Sequence, residues 1–189
     1  MNVSEIHHQL RRHLVKESLR AALEQTLDER VDRYLEVRHQ NVIASHHFAG
    51  ASTECLDLYR DGYFLSTVMV SQSVVEGIFR FVLDRNCISA DGERPEMATL
   101  LVERGIISRQ CADAFVRIWK SFRNDVHHMN PKVADVPFAE LAKRNVEDLA
   151  TIEREIFAYG INDGKLSPVQ PKYWNLQADG TVPVFLRLE

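Results

Sequence analysis

Cysteine, glycine and proline are scarce in this chain, and the scarcity of each excludes certain kinds of structure. The three cysteines among the 189 residues, Cys55, Cys87 and Cys111, are widely separated and include no Cys-x-x-Cys pair. Such spacing excludes a disulfide framework or a cysteine-based zinc site, and it predicts buried or incidental thiols in a reducing compartment. No glycine or proline precedes Gly50, so the first 49 residues can form nearly continuous helix.

A large net charge and a long apolar run are also absent. The formal charge of −4 argues against a protein that coats nucleic acid by bulk electrostatics, although it allows a local basic patch. The most apolar window, YFLSTVMVSQSVVEGIFRFVL, is interrupted by polar and charged residues and predicts a buried helix, not a membrane span. The N-terminal stretch MNVSEIHHQLRRHL lacks the apolar core of a signal peptide. We therefore expect a cytoplasmic protein with no membrane partner.

Helical periodicity dominates the pattern that is present. Aliphatic side chains recur at helical spacing near the N-terminus and predict a long helix packed against the protein body or a second copy: Ile6, Leu10, Leu14, Leu23, Leu27, Val31 and Leu35. Further helices are predicted before Gly62, from Tyr63 to Arg85, up to Gly105, from Ser108 to Met129, and from Phe138 to Tyr159. In the tail, Asp179-Gly180 between two strand-like runs predicts a hairpin, and Pro183 restricts its second strand to an edge.

These elements predict an all-α fold, a helical bundle in three parts. Residues 1–50 form a helical N-terminal extension, residues 51–160 the bundle, and residues 161–189 a tail with a small β-hairpin.

The helix from Ser108 to Met129 carries the candidate chemistry. On a helical wheel its apolar stripe faces the core, while the opposite arc holds polar residues that core packing does not require: Arg117, Ser121, Asn124 and His128, with Lys120 and His127 beside them. Residues 108–132 contain five basic and two acidic residues, a net charge of +3 in an acidic chain. This patch is a candidate phosphate site formed by Arg117, Lys120 and Lys132.

Arginine and histidine together suit phosphate-ester cleavage. Imidazole moves protons near neutral pH, and guanidinium balances charge on the non-bridging phosphate oxygens. A polar arc at the end of a helix is also favourable without any function, so the residues alone leave a solvated surface as the alternative.

The segment RNDVHH, with Arg123, Asn124 and His128, resembles the R-polar-x3-H signature of HEPN domains, the higher eukaryotes and prokaryotes nucleotide-binding domains. Its place at the end of a long helix, before a proline and one more helix, is similar to that family, as is the long apolar helix with a glutamate that precedes it. The resemblance covers about residues 51–160 and leaves the first 50 residues and the tail unexplained.

The resemblance implies a four- or five-helix bundle that forms a homodimer. It also implies a metal-independent ribonuclease that needs no cofactor, in which the ribose 2′-hydroxyl attacks the adjacent phosphate and leaves a 2′,3′-cyclic end. His128 would be the acid/base, Arg123 would stabilise the phosphorane, and Asn124 would orient the substrate or the histidine. Many members are toxins, acting with an antitoxin partner, or phage-defence components. Others are inactive and bind nucleotides or proteins, which is the alternative function.

The spacing of Arg123 and His128 along the helix tests the roles that the resemblance implies. Arg123 and His128, five residues apart, are separated by about 140° on a helix, so one chain has difficulty directing both at one phosphate. Two copies related by a two-fold axis can combine arginine from one chain with histidine from the other. His127, about 40° from Arg123, is the better partner on the same helix.

One carboxylate and two histidine pairs outside the RNDVHH segment are also candidates for a functional role. Glu76 lies mid-helix among apolar residues, where it either positions Arg123 or a histidine, or forms a structural ion pair with another arginine. The pairs His7-His8 and His46-His47 lack a carboxylate or cysteine at ligand spacing, so no metal site is predicted.

Overall fold

The computed structural model describes residues 3–187, except for the side chains of Val3, Arg123 and Asn124. The chain divides into two compact units between Glu36 and Val37. The first unit contains α1 (Val3–Gln25) and α2 (Leu27–Glu36), separated only by Thr26. The expectation of nearly continuous helix over the first 49 residues is wrong beyond Glu36, because a short strand, β1 (Val42–Ala44), precedes the next helix.

The second unit is mostly helical, which confirms the all-α class. Its helices are α3 (Ala49–Arg60), α4 (Phe64–Arg85), α5 (Arg94–Glu103), α6 (Arg109–Trp119), α7 (Arg123–His127) and α8 (Phe138–Ile156), with short 3₁₀ turns at Pro131–Asp135 and Pro171–Tyr173. The predicted break near Gly62 and the stop near Gly105 are confirmed, and both glycines adopt positive φ. The predicted single helix from Ser108 to Met129 is wrong, since it is interrupted between α6 and α7.

Helix α4 is the centre of the second unit. It packs against α3, α6 and α8, and its buried residues include Val75, Ile78, Phe79 and Val82. Phe79 meets Trp119 of α6 edge to face, with ring centroids 4.5 Å apart. Helix α4 is long and apolar enough to cross a membrane, and half of its most apolar 18-residue stretch is buried inside the protein.

Two small antiparallel sheets lie outside the helices. A hairpin joins β2 (Tyr159–Asn162) to β3 (Lys165–Pro168) through Asp163 and Gly164, both at positive φ as a type I′ turn requires. The tail therefore has a hairpin, but its predicted turn at Asp179-Gly180 is wrong. There the Asp179 carboxylate accepts hydrogen bonds from Thr181, and the turn closes without a strand ladder.

The last strand, β4 (Val184–Leu186), pairs with β1 and brings Arg187 into the helical core. The buried Arg187 guanidinium donates to both oxygens of buried Glu153 at 2.8 Å, and Ser52 also donates to Glu153. Burial alone would raise the pKa of Glu153, but the nearby His39 and the hydrogen-bonded Arg187 guanidinium lower it to about 2. Burial lowers the pKa of His39, whose Nδ1 lies 3.7 Å from Glu153, so Arg187 is the partner that keeps Glu153 ionised.

The cysteines follow the sequence expectation. All three are free thiols, with Cys55 and Cys111 buried and Cys87 exposed.

Candidate functional site

The RNDVHH segment forms its own short helix, α7, after a sharp break. Helix α6 begins at Ser108, whose hydroxyl accepts the backbone N–H of Cys111, and it ends at Trp119. Phe122 then adopts a φ of +55°, and α7 starts at the next residue. The expected continuous polar arc is therefore wrong at Ser121, which is only 1% exposed and belongs to the core.

A buried polar cluster holds this break in place. The Gln72 amide donates to the Ser121 carbonyl at 2.8 Å and to the Ser121 hydroxyl at 2.9 Å. The Asn145 amide donates to the hydroxyls of Ser71 at 3.0 Å and Ser121 at 3.2 Å. The Ser121 hydroxyl in turn donates to the Ile118 carbonyl, which completes its hydrogen-bonding capacity. Helices α4 and α8 thus fix the residue two positions before Arg123.

The far end of α7 is closed by a Schellman motif. The N–H of Asn130 donates to the Asp125 carbonyl at 2.9 Å, and the N–H of Met129 donates to the Val126 carbonyl at 3.3 Å. Met129 occupies the left-handed position usually given to glycine, with a φ of +48°. A five-residue helix with a non-glycine residue in left-handed conformation on each side is strained, and such strain is concentrated at functional sites.

The two candidate histidines are exposed to solvent at this end. His127 is the last residue of α7 and His128 the first residue after it, while Val126 between them and α4 is fully buried. Arg123 and His127 both belong to α7, whereas the 140° expected between Arg123 and His128 assumed a longer helix. The side chains of Arg123 and Asn124 lie outside the described residues.

The predicted phosphate-binding residues do not share one environment. The Arg117 guanidinium forms a bidentate pair with Asp148 of α8, with N–O distances of 2.9 and 2.6 Å. These hydrogen bonds raise the pKa of Arg117 and neutralise part of the expected basic patch. Lys120 and Lys132 are exposed, at the end of α6 and just after Pro131. Of the three residues, Arg117 is therefore already paired with a carboxylate, whereas the two lysines are exposed to solvent.

Glu76 forms ion pairs with arginines outside the RNDVHH segment, which was the structural alternative for this residue. Its carboxylate accepts hydrogen bonds from Arg94 at 2.6 and 3.2 Å and from Arg80 at 2.7 Å. Burial alone would raise the pKa of Glu76, but these two arginines outweigh burial and lower it. Glu76 therefore ties α4 to the start of α5 and is occupied by partners other than the motif.

A cavity opens beside the motif on the side of Phe122. It has a volume of about 240 Å³. Phe122 is 44% exposed at its rim. The walls are mostly apolar, with one arginine and one glutamate: Phe122, Val136, Pro137, Glu140, Leu141 and Arg144. An exposed aromatic ring next to a guanidinium can stack on a nucleobase.

Sequence reasoning missed the supporting residues, Ser71, Gln72 and Asn145. Their signal was present, since each is a polar residue among apolar helix positions, but nothing local indicates what they contact. Among the described residues, no group of three or more His, Cys, Asp or Glu side chains can hold a metal ion.

Comparison with known proteins found no similar sequence or structure. No protein-family model, curated protein or solved structure matches the chain. The geometry of the α6–α7 segment therefore carries the functional inference.

Proposed function

We propose that the chain is a HEPN-type endoribonuclease that acts as a homodimer and cleaves RNA without a metal ion. The proposal rests on the structure of α7 and of the turn that precedes it. Two adjacent histidines, His127 and His128, are exposed on a short strained helix, and a buried polar cluster fixes the turn before it. A rigid support beneath solvent-facing catalytic groups is what preorganised catalysis requires.

In this mechanism an imidazole accepts the proton of the ribose 2′-hydroxyl. The 2′-oxygen attacks phosphorus, and the bond from phosphorus to the 5′-oxygen breaks. A protonated imidazole donates to the leaving 5′-oxygen, and the products are a 2′,3′-cyclic phosphate and a 5′-hydroxyl. Arg123 balances the charge on the non-bridging oxygens, Asn124 orients the substrate, and Lys120 and Lys132 hold neighbouring phosphates.

The assay uses the full chain with a 5′-labelled RNA in EDTA, followed by analysis of the product ends. Wild type is expected to give 2′,3′-cyclic ends, whereas His128→Ala and Arg123→Ala reduce the rate by about 10²–10⁴-fold. His8→Ala in α1 and Arg104→Ala after α5 are matched controls, because both side chains are exposed and remote in sequence from α7. A divalent-metal requirement, or full activity in both motif variants, would contradict the proposal.

His127→Ala decides which imidazole acts. If His128 is the acid/base, as the family spacing implies, His127→Ala retains most of the cleavage rate. The reverse pattern would assign proton transfer to His127, which shares a face of α7 with Arg123.

A catalytically inactive module that binds a nucleotide is the second candidate. The cavity beside Phe122 favours it, because its apolar walls and single arginine suit a base. In that case fluorescence anisotropy would show wild type binding labelled RNA or nucleotide, with no cleavage products. Phe122→Ala would then weaken binding, whereas His128→Ala would leave it unchanged.

A further inference from the structure

The first unit carries two sets of exposed aliphatic side chains. One set is Ile6, Leu10 and Leu14 of α1, and the other is Leu27, Val31 and Leu35 of α2; Val15, Leu19 and Leu23 are also exposed but lie on other faces of α1. All six members of the two sets are between 40% and 69% exposed. Members of each trio are four residues apart, so each trio occupies an arc of about 80° on its helix. An aliphatic stripe of this kind on a helix needs a partner surface.

The two trios cannot cover each other within one chain. Only Thr26 separates α1 from α2, and its carbonyl still accepts the N–H of Arg30 in helical fashion, at 3.0 Å. An antiparallel pair of helices needs a connection of about two to five residues. The partner must therefore be another surface.

The positions of the two trios are symmetric along the sequence, so their spacing is the same in either chain direction. When two copies run antiparallel, one register places Ile6 opposite Leu35, Leu10 opposite Val31 and Leu14 opposite Leu27. Each of the six trio members of one chain then meets a trio member of the other. A two-fold interface has this property by construction, since each patch must complement itself.

Charge favours the same orientation. Residues 3–16 contain three basic and one acidic residue, a net charge of +2, whereas residues 17–36 contain three basic and six acidic residues, a net charge of −3. Antiparallel pairing sets the positive half of one copy against the negative half of the other. Glu17 and Glu24 lie on the same arc of α1 as the first trio and meet each other in this register, so charge pairs contribute little and the aliphatic contacts carry the association.

We infer that α1 and α2 form a self-association surface whose occupant is the same surface of a second copy, paired antiparallel. The inference is independent of ribonuclease activity, because it is tested by oligomeric state alone. It also gives the chain a means of dimerisation outside the α7 segment.

The first test measures the mass of the full-length chain by light scattering coupled to gel filtration. Wild type is expected to be a dimer and Leu10→Glu a monomer. Val15→Glu is the matched control, since Val15 is also an exposed aliphatic residue of α1 but lies about 140° around the helix from Leu10. A monomeric wild type, or a Leu10→Glu variant that stays dimeric, would overturn the inference. In the latter case the dimer contact lies elsewhere.

The second test determines orientation by disulfide trapping. Differently tagged Leu14→Cys and Leu27→Cys chains are mixed in a Cys87→Ser background, which removes the exposed native thiol. Antiparallel pairing predicts that the 14–27 mixed disulfide forms fastest. Predominant 14–14 and 27–27 disulfides would indicate parallel pairing and refute the proposed register.

Discussion

Gln72→Met tests whether the buried polar cluster controls the candidate site. Methionine matches glutamine in length and has good helix propensity, so the substitution removes the amide with little change of packing. The lost groups are the two hydrogen bonds to the carbonyl and hydroxyl of Ser121, at 2.8 and 2.9 Å. The hydroxyl keeps Asn145 as a donor, whereas among the described residues the carbonyl has only Gln72.

The expected cost follows from these contacts. A buried carbonyl left without a donor costs about 1–3 kcal/mol, and removal of the Gln72 Oε1, itself buried without a described partner, returns part of that cost. A net loss of about 1–2 kcal/mol corresponds to a decrease in Tm of about 2–8 °C for a chain of this length. Ser73→Met, at the neighbouring exposed position of α4, is expected to change stability by less than about 0.5 kcal/mol.

Two measurements separate local from global effects. Urea unfolding gives the free energy of unfolding, and hydrogen exchange of peptides spanning residues 121–130 gives the local opening of α7. We expect Gln72→Met to increase exchange in these peptides more than elsewhere, and to reduce RNA cleavage under conditions in which the chain remains folded. Unchanged exchange in residues 121–130, with unchanged stability, would refute the role given to this cluster.

The remaining predictions concern charge. Arg187→Met removes the partner that keeps the buried Glu153 ionised, so thermal or urea unfolding should show a loss of about 3–5 kcal/mol; a loss below 1 kcal/mol would contradict the buried pair. The lowered pKa of Glu153 means that its stabilisation is complete above the ordinary carboxyl value of 4.5 and is lost as the pH falls toward 2. The free energy of unfolding should therefore decrease as the pH is lowered from 4.5 to about 2. A free energy of unfolding that stays constant over this range would contradict the role given to Glu153. Arg117→Gln should cost about 1 kcal/mol through Asp148, because the guanidinium is half exposed, and change cleavage by less than about threefold; a larger decrease in cleavage would show that Arg117 binds phosphate. Lys132→Gln should weaken RNA binding uniformly and reduce the salt dependence by about one ion, and an unchanged salt slope would remove Lys132 from the interface.

The helices were predictable where local pattern determines them. Gly62 and Gly105 mark the ends of helical segments, Pro131 bounds the motif, and apolar periodicity placed α4 and α8 within a few residues. The strand pair β1–β4 was not, because it joins residues about 140 positions apart and neither strand is longer than three residues. Of two Asp-Gly pairs in the tail, the one at Asp163 forms the hairpin, and the local sequence does not distinguish them.

The candidate site was predictable in its exposed part only. The histidines of RNDVHH were expected at a helix end and are found there. The break before α7 contains neither glycine nor proline, so a continuous helix was the natural expectation. It arises from tertiary contacts of Ser121 with α4 and α8, and a polar residue on a helical wheel is assigned to the surface unless such contacts are known.

Complementation between two inactive variants tests the central claim most directly. Arg123→Ala and His128→Ala chains, each inactive alone, are mixed under conditions that exchange subunits, and RNA cleavage is measured in EDTA. If arginine from one chain acts with histidine from the other, half of the dimers are mixed and each has one intact site of two, so about a quarter of the wild-type activity returns. No recovery, although mixed dimers form and wild type cleaves, would contradict the composite site.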